Sequence, residues 1–331
     1  MNVPSPRGPF CRPGVRLALA ATALALGGAA GLAARFEAFA PREGPAGSIG
    51  ALAFTEDGRG LVLRVARGRK RSRLCWLDLD NPLDRWLGAR GAVDVTGDVW
   101  LRAALDSRRA IASDRDRGLA SLVSFEPPGV SALGSFVVLD ANEAGDALLT
   151  APAVRPRPLD RVEVRRLSRP EAVVWVLETS GPPPVLAPDG SAVAVATSTG
   201  ATLLHMKTGE TRQNLVTGDR SPAASVAFGA DELWLQPEGA PRLEGFRDGS
   251  ENVARTIALA PHETLLGAAG NGRWVVTSRE LSPGGLFRFT LRDARDGRVG
   301  LSLVGSRLAC ATGPWLALLD ADERLTLVRA P

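Results

Sequence analysis

A unit that recurs about every 42 residues constrains this chain more than any other feature. From residue 50 onward the sequence consists of short apolar runs separated by turn residues, with no amphipathic helical stretch of convincing length. The clearest copy runs from Pro184 to Glu210. There Val185-Leu186-Ala187 leads into Pro188-Asp189-Gly190, and Ala192–Ala196, Ala201–Met206 and a closing Lys207-Thr208-Gly209-Glu210 follow. Asp-Gly between apolar runs is a hairpin signal, because both residues tolerate the positive φ that a tight turn demands. An earlier copy reads Ala51–Phe54, Asp57-Gly58, Leu61–Leu63 and Leu74–Leu79. Turn glycines at 58, 97, 145, 190, 229, 272 and 313 mark seven such units, spaced by 39, 48, 45, 39, 43 and 41 residues. Apolar runs flank each of them, as in Arg273–Thr277 after Asn271-Gly272 and Trp315–Leu319 after Gly313.

A three- or four-stranded unit at this period is the pattern of a β-propeller blade. A small sheet of this kind buries its faces only against neighbouring sheets, so the ring must close, and seven units account for nearly all of residues 45–331. The expected fold is therefore all-β, a seven-bladed β-propeller over 45–331. A pair of β-sandwiches is the structural rival. The last unit ends after its third strand, so its outer strand must come from elsewhere, and Arg35–Ala40, or the residues just after it, is the segment able to supply it.

In Ala187-Pro188-Asp189-Gly190, followed by an alternating strand and a Lys-Thr-Gly turn, the chain resembles the WD-repeat propellers. The resemblance extends over about residues 45–331. No Trp-Asp and no Gly-His dipeptide occurs, so the hydrogen-bonded tetrad of the regular family is lost or replaced. A weaker similarity is to quinoprotein-like propellers, whose repeats close on turns like Asp293-Ala294-Arg295-Asp296-Gly297. Nothing matches the stacking tryptophan, calcium carboxylates and paired cysteines that a quinone site requires. The resemblance thus implies a fold, no cofactor and no family site residue.

The formal charge of +4 suggests a polyanion partner until it is located. Residues 1–35 hold four of the 40 Lys and Arg and no acid, which leaves 36 of each sign in the rest of the chain. Arginine abundance itself says little, because the near absence of Lys, Tyr and Ile points to a GC-rich coding sequence. The leader 1–16 carries Arg7, Arg12 and Arg16, and eighteen uncharged residues, 17–34, follow it before Arg35. That order is a signal anchor or a cleavable signal peptide. Eighteen helical residues span about 27 Å, just under a hydrocarbon core of roughly 30 Å, so a single-pass anchor is short, and cleavage after Gly28-Ala29-Ala30 is its rival. An anchor would keep the leader in the cytoplasm, with 35–44 as a linker and the propeller outside the inner membrane. After cleavage the domain would be periplasmic or secreted. Gly27 and Gly31 form a small-residue step that a second such helix could pack against.

Chemistry-bearing residues are sparse. His205 sits in an apolar strand and His262 in a loop some 57 residues away, too little for a metal centre or a Ser-His-Asp arrangement. Asp78/Asp80 and Asp320/Asp322 read as turn-forming aspartates. Cys75 falls on a third strand and Cys310 on a first, too far apart in a propeller for a disulfide. The densest charge run is Arg64, Arg67, Arg69, Lys70, Arg71 and Arg73, between the second and third strands of the first unit. It lacks the aromatic residues that stack on bases, which argues against nucleic acid, and it is the candidate interaction loop for an anionic surface or an acidic partner. The expectation is a non-enzymatic interaction or scaffolding module of the cell envelope with a protein partner. A small-ligand binder or enzyme using the central channel is the alternative. That reading requires convergent polar groups and a perturbed carboxylate at the channel.

Overall fold

The structure, a computed structural model, describes residues 37–39, 48–55, 57–67, 70–80, 91–97, 99–114, 117–153, 161–179, 181–229, 231–270, 272–283, 285–310, 313–320, 322 and 324–329. The basic leader, the apolar segment 17–34 with its expected helix, and Arg69 lie outside these residues. All described strands belong to seven four-stranded antiparallel sheets. Blade 1 comprises Ser48–Phe54, Gly60–Ala66, Arg71–Asp78 and Gly91–Thr96. Blade 2 comprises Val99–Leu105, Arg109–Asp114, Leu119–Phe125 and Pro128–Gly134. Phe136–Asn142, Ala147–Pro152, Arg161–Arg166 and Arg169–Glu178 make blade 3. In blade 4 the first strand shrinks to Val185–Leu186, before Ala192–Thr197, Gly200–His205 and Thr211–Val216. Blade 5 is Ala223–Phe228, Glu232–Pro237, Arg242–Arg247 and Val253–Ala258. Blade 6 is Thr264–Ala269, Trp274–Ser282, Leu286–Asp293 and Val299–Gly305.

Blade 7 draws on both ends of the chain. Arg307–Cys310, Trp315–Leu319 and Leu325–Arg329 are its first three strands, and Glu37–Phe39 is its outer one, with Ala38 opposite Val328. The expected closing segment, Arg35–Ala40, contains this strand. Sewing the first and last parts of the chain into one sheet closes the ring with backbone hydrogen bonds.

Among the described residues the core consists of seven apolar clusters, one at each junction between neighbouring blades. Leu61, Leu63 and Val65 point toward blade 7 and meet Trp315, Ala317 and Leu319, whereas Val62 joins Leu74 and Trp76 against Val99, Ala110 and Phe125 of blade 2. Leu316, between Trp315 and Ala317, turns the other way to meet Trp274 and Val276 of blade 6. The second strand of each blade is buried on both faces over at least four consecutive residues, and this is why these strands read as continuous apolar runs rather than strict alternations. Each fully buried Leu or Val contributes about 1.5–3 kcal/mol, so the junctions carry most of the stability.

Turn chemistry follows the sequence with one exception. Gly58, Gly145, Gly190, Gly229, Gly272 and Gly313 lie between first and second strands, but Gly97 joins the outer strand of blade 1 to the first strand of blade 2. The corresponding blade 2 turn is Asp106-Ser107-Arg108, where Arg108 adopts φ +57 without being glycine. Two of the glycines are required by contact: a Cβ on Gly58 would lie 2.7 Å from the Gly313 Cα, and one on Gly145 2.5 Å from the Gly190 Cα. Turns of adjacent blades touch there.

Candidate functional site

The first strand of every blade contributes to the wall of a central channel of about 430 Å³. The chain turns its inner strands with a repeated device: register breaks leave Gly50, Arg102, Leu139, Ala224 and Leu266 as bulged residues in blades 1, 2, 3, 5 and 6. The wall is largely apolar, with Leu52, Phe54, Val185, Val226, Phe228 and Leu266 prominent, and its charged members are Arg102 and Asp140.

Asp140 follows the bulge of blade 3. Its Oδ1 accepts the Ala141 amide at 2.9 Å and its Oδ2 the Leu186 amide at 3.1 Å. Two residues on, the Asn142 Nδ2 donates to the Pro188 carbonyl at 2.7 Å, while its Oδ1 accepts the Gly145 amide. Asp140 and Asn142 share one face of the strand and together hold the short first strand of blade 4 in place. Although Asp140 keeps some surface toward the channel, the protein packed around it desolvates the carboxyl. This burial raises the pKa to about 6 against the two backbone hydrogen bonds, which act to lower it.

The structure separates the arginine-rich run into distinct roles. Arg73 forms a two-pronged pair with Asp94 on the neighbouring strand, at 2.7 Å for both bonds; the hydrogen bond to Asp94 raises the guanidinium pKa and lowers that of the carboxyl. Arg64 is half-buried, and its Nε donates to the Ser72 Oγ at 3.1 Å. Arg67, Lys70 and Arg71 are exposed at the turn between the second and third strands of blade 1. Lys70 takes φ +62, and the Arg67 and Gly97 amides donate to the Arg71 and Lys70 carbonyls, so the turn is held by its backbone and leaves those three side chains outward. Strands alternate in direction, so this turn shares a face of the ring with the blade-to-blade connections.

Other candidates are structural. Asp78 and Asp320 accept the amides of Asp80 and Asp322, each two residues on. His205 is exposed at the end of its strand and His262 is exposed in a loop at φ +62. Cys75 is a buried free thiol in the cluster between blades 1 and 7, where burial raises its pKa. Among the described residues no group of three or more His, Cys, Asp and Glu could hold a metal ion.

Arginine–carboxylate pairs lie inside three of the blades. In blade 6, Arg292 grips Glu263 at 3.0 and 2.8 Å, and the Thr277 hydroxyl donates to the same carboxylate. These bonds hold the Glu263 pKa down although burial raises it. In blade 3, Arg165 donates to Glu163 at 2.6 Å and to Thr150 at 3.1 Å. Arg242 links Glu244 and Asp219 at 2.8 and 2.7 Å in blade 5. Glu163 with Arg165 and Arg242 with Glu244 are neighbours two residues apart on one strand, whereas Arg292 and Glu263 are 29 residues apart and meet only through the register of blade 6.

No protein-family model matches the chain, and no curated protein does. Solved structures do. The β-propeller domain of Cps50 (Swd1) from Myceliophteria thermophila superposes with a TM-score of 0.58 at 11% identity, over 87% of this chain and 98% of that one. A chain of the mitotic checkpoint complex gives 0.57 at 10% identity, over 92% and 96%. At such identities the likeness concerns the fold alone, and in fold this chain is a seven-bladed β-propeller.

Proposed function

We propose that the chain is an exported, membrane-tethered interaction module whose propeller stands outside the inner membrane and binds a protein of the cell envelope. Arg7, Arg12 and Arg16 before the uncharged stretch 17–34 support the tether. The observation that carries the binding role is the state of the channel. Its wall is mainly Leu, Val, Phe and Ala, and both carboxylate oxygens of Asp140 are occupied by backbone amides, so the group best placed for proton transfer is engaged in holding blade 4. A rigid ring with paired internal charges suits presentation of surface loops. One chain of similar fold belongs to the mitotic checkpoint complex, which agrees with use of this architecture in assemblies.

On this reading Arg67, Lys70 and Arg71 form the contact surface of the basic loop, and Arg64 and Arg73 support it from within the sheet. The test is affinity capture from envelope extract with the full chain and with R67E/K70E/R71E. The expected result is one partner retained by the first and depleted tenfold or more with the second; identical captures, or none, would remove the proposal. A channel ligand is the second reading, motivated by the raised pKa of Asp140 at the wall.

A further inference from the structure

Around most of the ring the turns between first and second strands meet their neighbours. Gly58 lies against Gly313, and Gly145 against Gly190. The Asp57 amide donates to Asp106, the Ser107 amide to Glu143, and the Gly270 amide to the Gly313 carbonyl. Between blades 4 and 5 the pattern breaks. Among the described residues no hydrogen bond joins the Pro188–Ser191 turn to residues 229–232. The blades are bridged farther out, where Gln213 donates to the Ser250 carbonyl at 2.6 Å and Arg212 to Asp248 at 2.5 Å. The gap opens into a cleft of about 360 Å³, on the face of the ring opposite the basic loop.

The floor of the cleft is the outer skin of the apolar cluster between the two blades, where Leu203, Leu215, Leu233 and Phe246 meet, with Phe228 half-buried beside them. Its rim is charged and unbalanced, with the carboxylates of Asp189, Asp231, Glu232 and Asp248 against the guanidiniums of Arg212 and Arg247. Both cations are committed: Arg212 to Asp248, and Arg247 to Glu232 at 3.6 Å, where Arg255 adds a second contact at 3.0 Å. Asp189 spends Oδ1 on the Ser191 amide, and Asp231 stands exposed at the mouth. The mouth therefore carries excess negative charge above an apolar floor.

We propose that this cleft binds a peptide segment of a protein partner in which a large apolar side chain adjoins an arginine or lysine. The volume is near the lower end of small-ligand pockets and accommodates one or two side chains rather than a helix. The apolar side chain covers the floor, and the cation completes the acidic rim, where Asp189 and Asp231 supply charge that no arginine among the described residues pairs with. The inference rests on reading the propeller as an interaction module.

The test is fluorescence anisotropy with the full chain and a dye-labelled Gly-Ser-Arg-Phe-Gly-Ser peptide, alongside versions with Glu for Arg and Ser for Phe. The Arg-Phe peptide is expected to bind at least tenfold more tightly than either control. D189N/D231N keeps the turn, because Asn can still accept the Ser191 amide, and it should weaken binding about five- to tenfold with loss of salt dependence. Ser191→Trp at the exposed mouth should block binding. Equal affinity for the three peptides, no binding, or no response to D189N/D231N would overturn the site. If an envelope partner is still captured in any of those cases, the cleft assignment fails alone and the module reading stands; if nothing is captured, both fail.

Discussion

Asp140 offers a perturbation whose effect is set by pH. The folded pKa of about 6 lies above the unfolded value of 3.8, so the folded protein holds this proton more tightly than the unfolded chain. Stability from this group is therefore fully present below the unfolded pKa and lost as pH rises through the folded one. The whole difference amounts to about 3 kcal/mol, of which about 1 kcal/mol appears between pH 7 and pH 5. Glu143 and Glu263, whose pKa values are lowered from 4.5, act in the opposite sense, but only as pH falls toward and below that value. Asp140→Asn removes the titration and leaves one acceptor for two amides, at a cost of about 1 kcal/mol or slightly more. Tryptophan-fluorescence denaturation in urea at several pH values between 7.5 and 5 reads the comparison, since contributions common to both proteins cancel. Relative to the variant, the parent should gain about 1 kcal/mol as pH falls from 7 to 5. Parallel profiles, or a parent that loses ground over this window, would refute the assignment of a desolvated carboxyl at the channel.

Three further outcomes follow from the packing. Arg292→Leu strands the buried Glu263 carboxylate and should lower stability by about 3–5 kcal/mol in chemical denaturation, whereas E263L/R292L should recover much of the loss. Gly58→Ala places a Cβ 2.7 Å from the Gly313 backbone at φ +68, and a loss of about 2–3 kcal/mol is expected by thermal melting. Removing residues 1–36 should leave the ring's melting transition near that of the parent, but removing 1–40 deletes the Glu37–Phe39 strand and should cost about 3 kcal/mol from the lost backbone pairs.

The blades are legible because the physics that makes them is local and repeated. Strands buried on both faces, such as Leu61–Val65 and Trp315–Leu319, announce themselves as apolar runs, and Asp-Gly turns punctuate them. Legibility ends where geometry is non-local. The blade 2 turn escapes a glycine search because Arg108 tolerates φ +57 and the Ser107 amide and hydroxyl bond to Glu143 of the next blade. Val185–Leu186 is too short to be recognised as a strand on its own, and Asp140 and Asn142, some 45 residues earlier, hold it. The arginine-rich run is visible as six cations in ten residues, but not the fact that Asp94, 21 residues beyond Arg73, satisfies one of them. The cleft between blades 4 and 5 has no sequence signal, since it arises from a contact that two neighbouring turns do not make.

The most direct test of the account places a photo-crosslinking residue at Lys70 in the full chain, irradiates intact cells and fractionates the membranes. An envelope-located interaction module predicts a crosslinked adduct with one envelope protein in the membrane fraction, abolished by R67E/R71E. A chain recovered from the cytosolic fraction, or crosslinked only within itself, would contradict it.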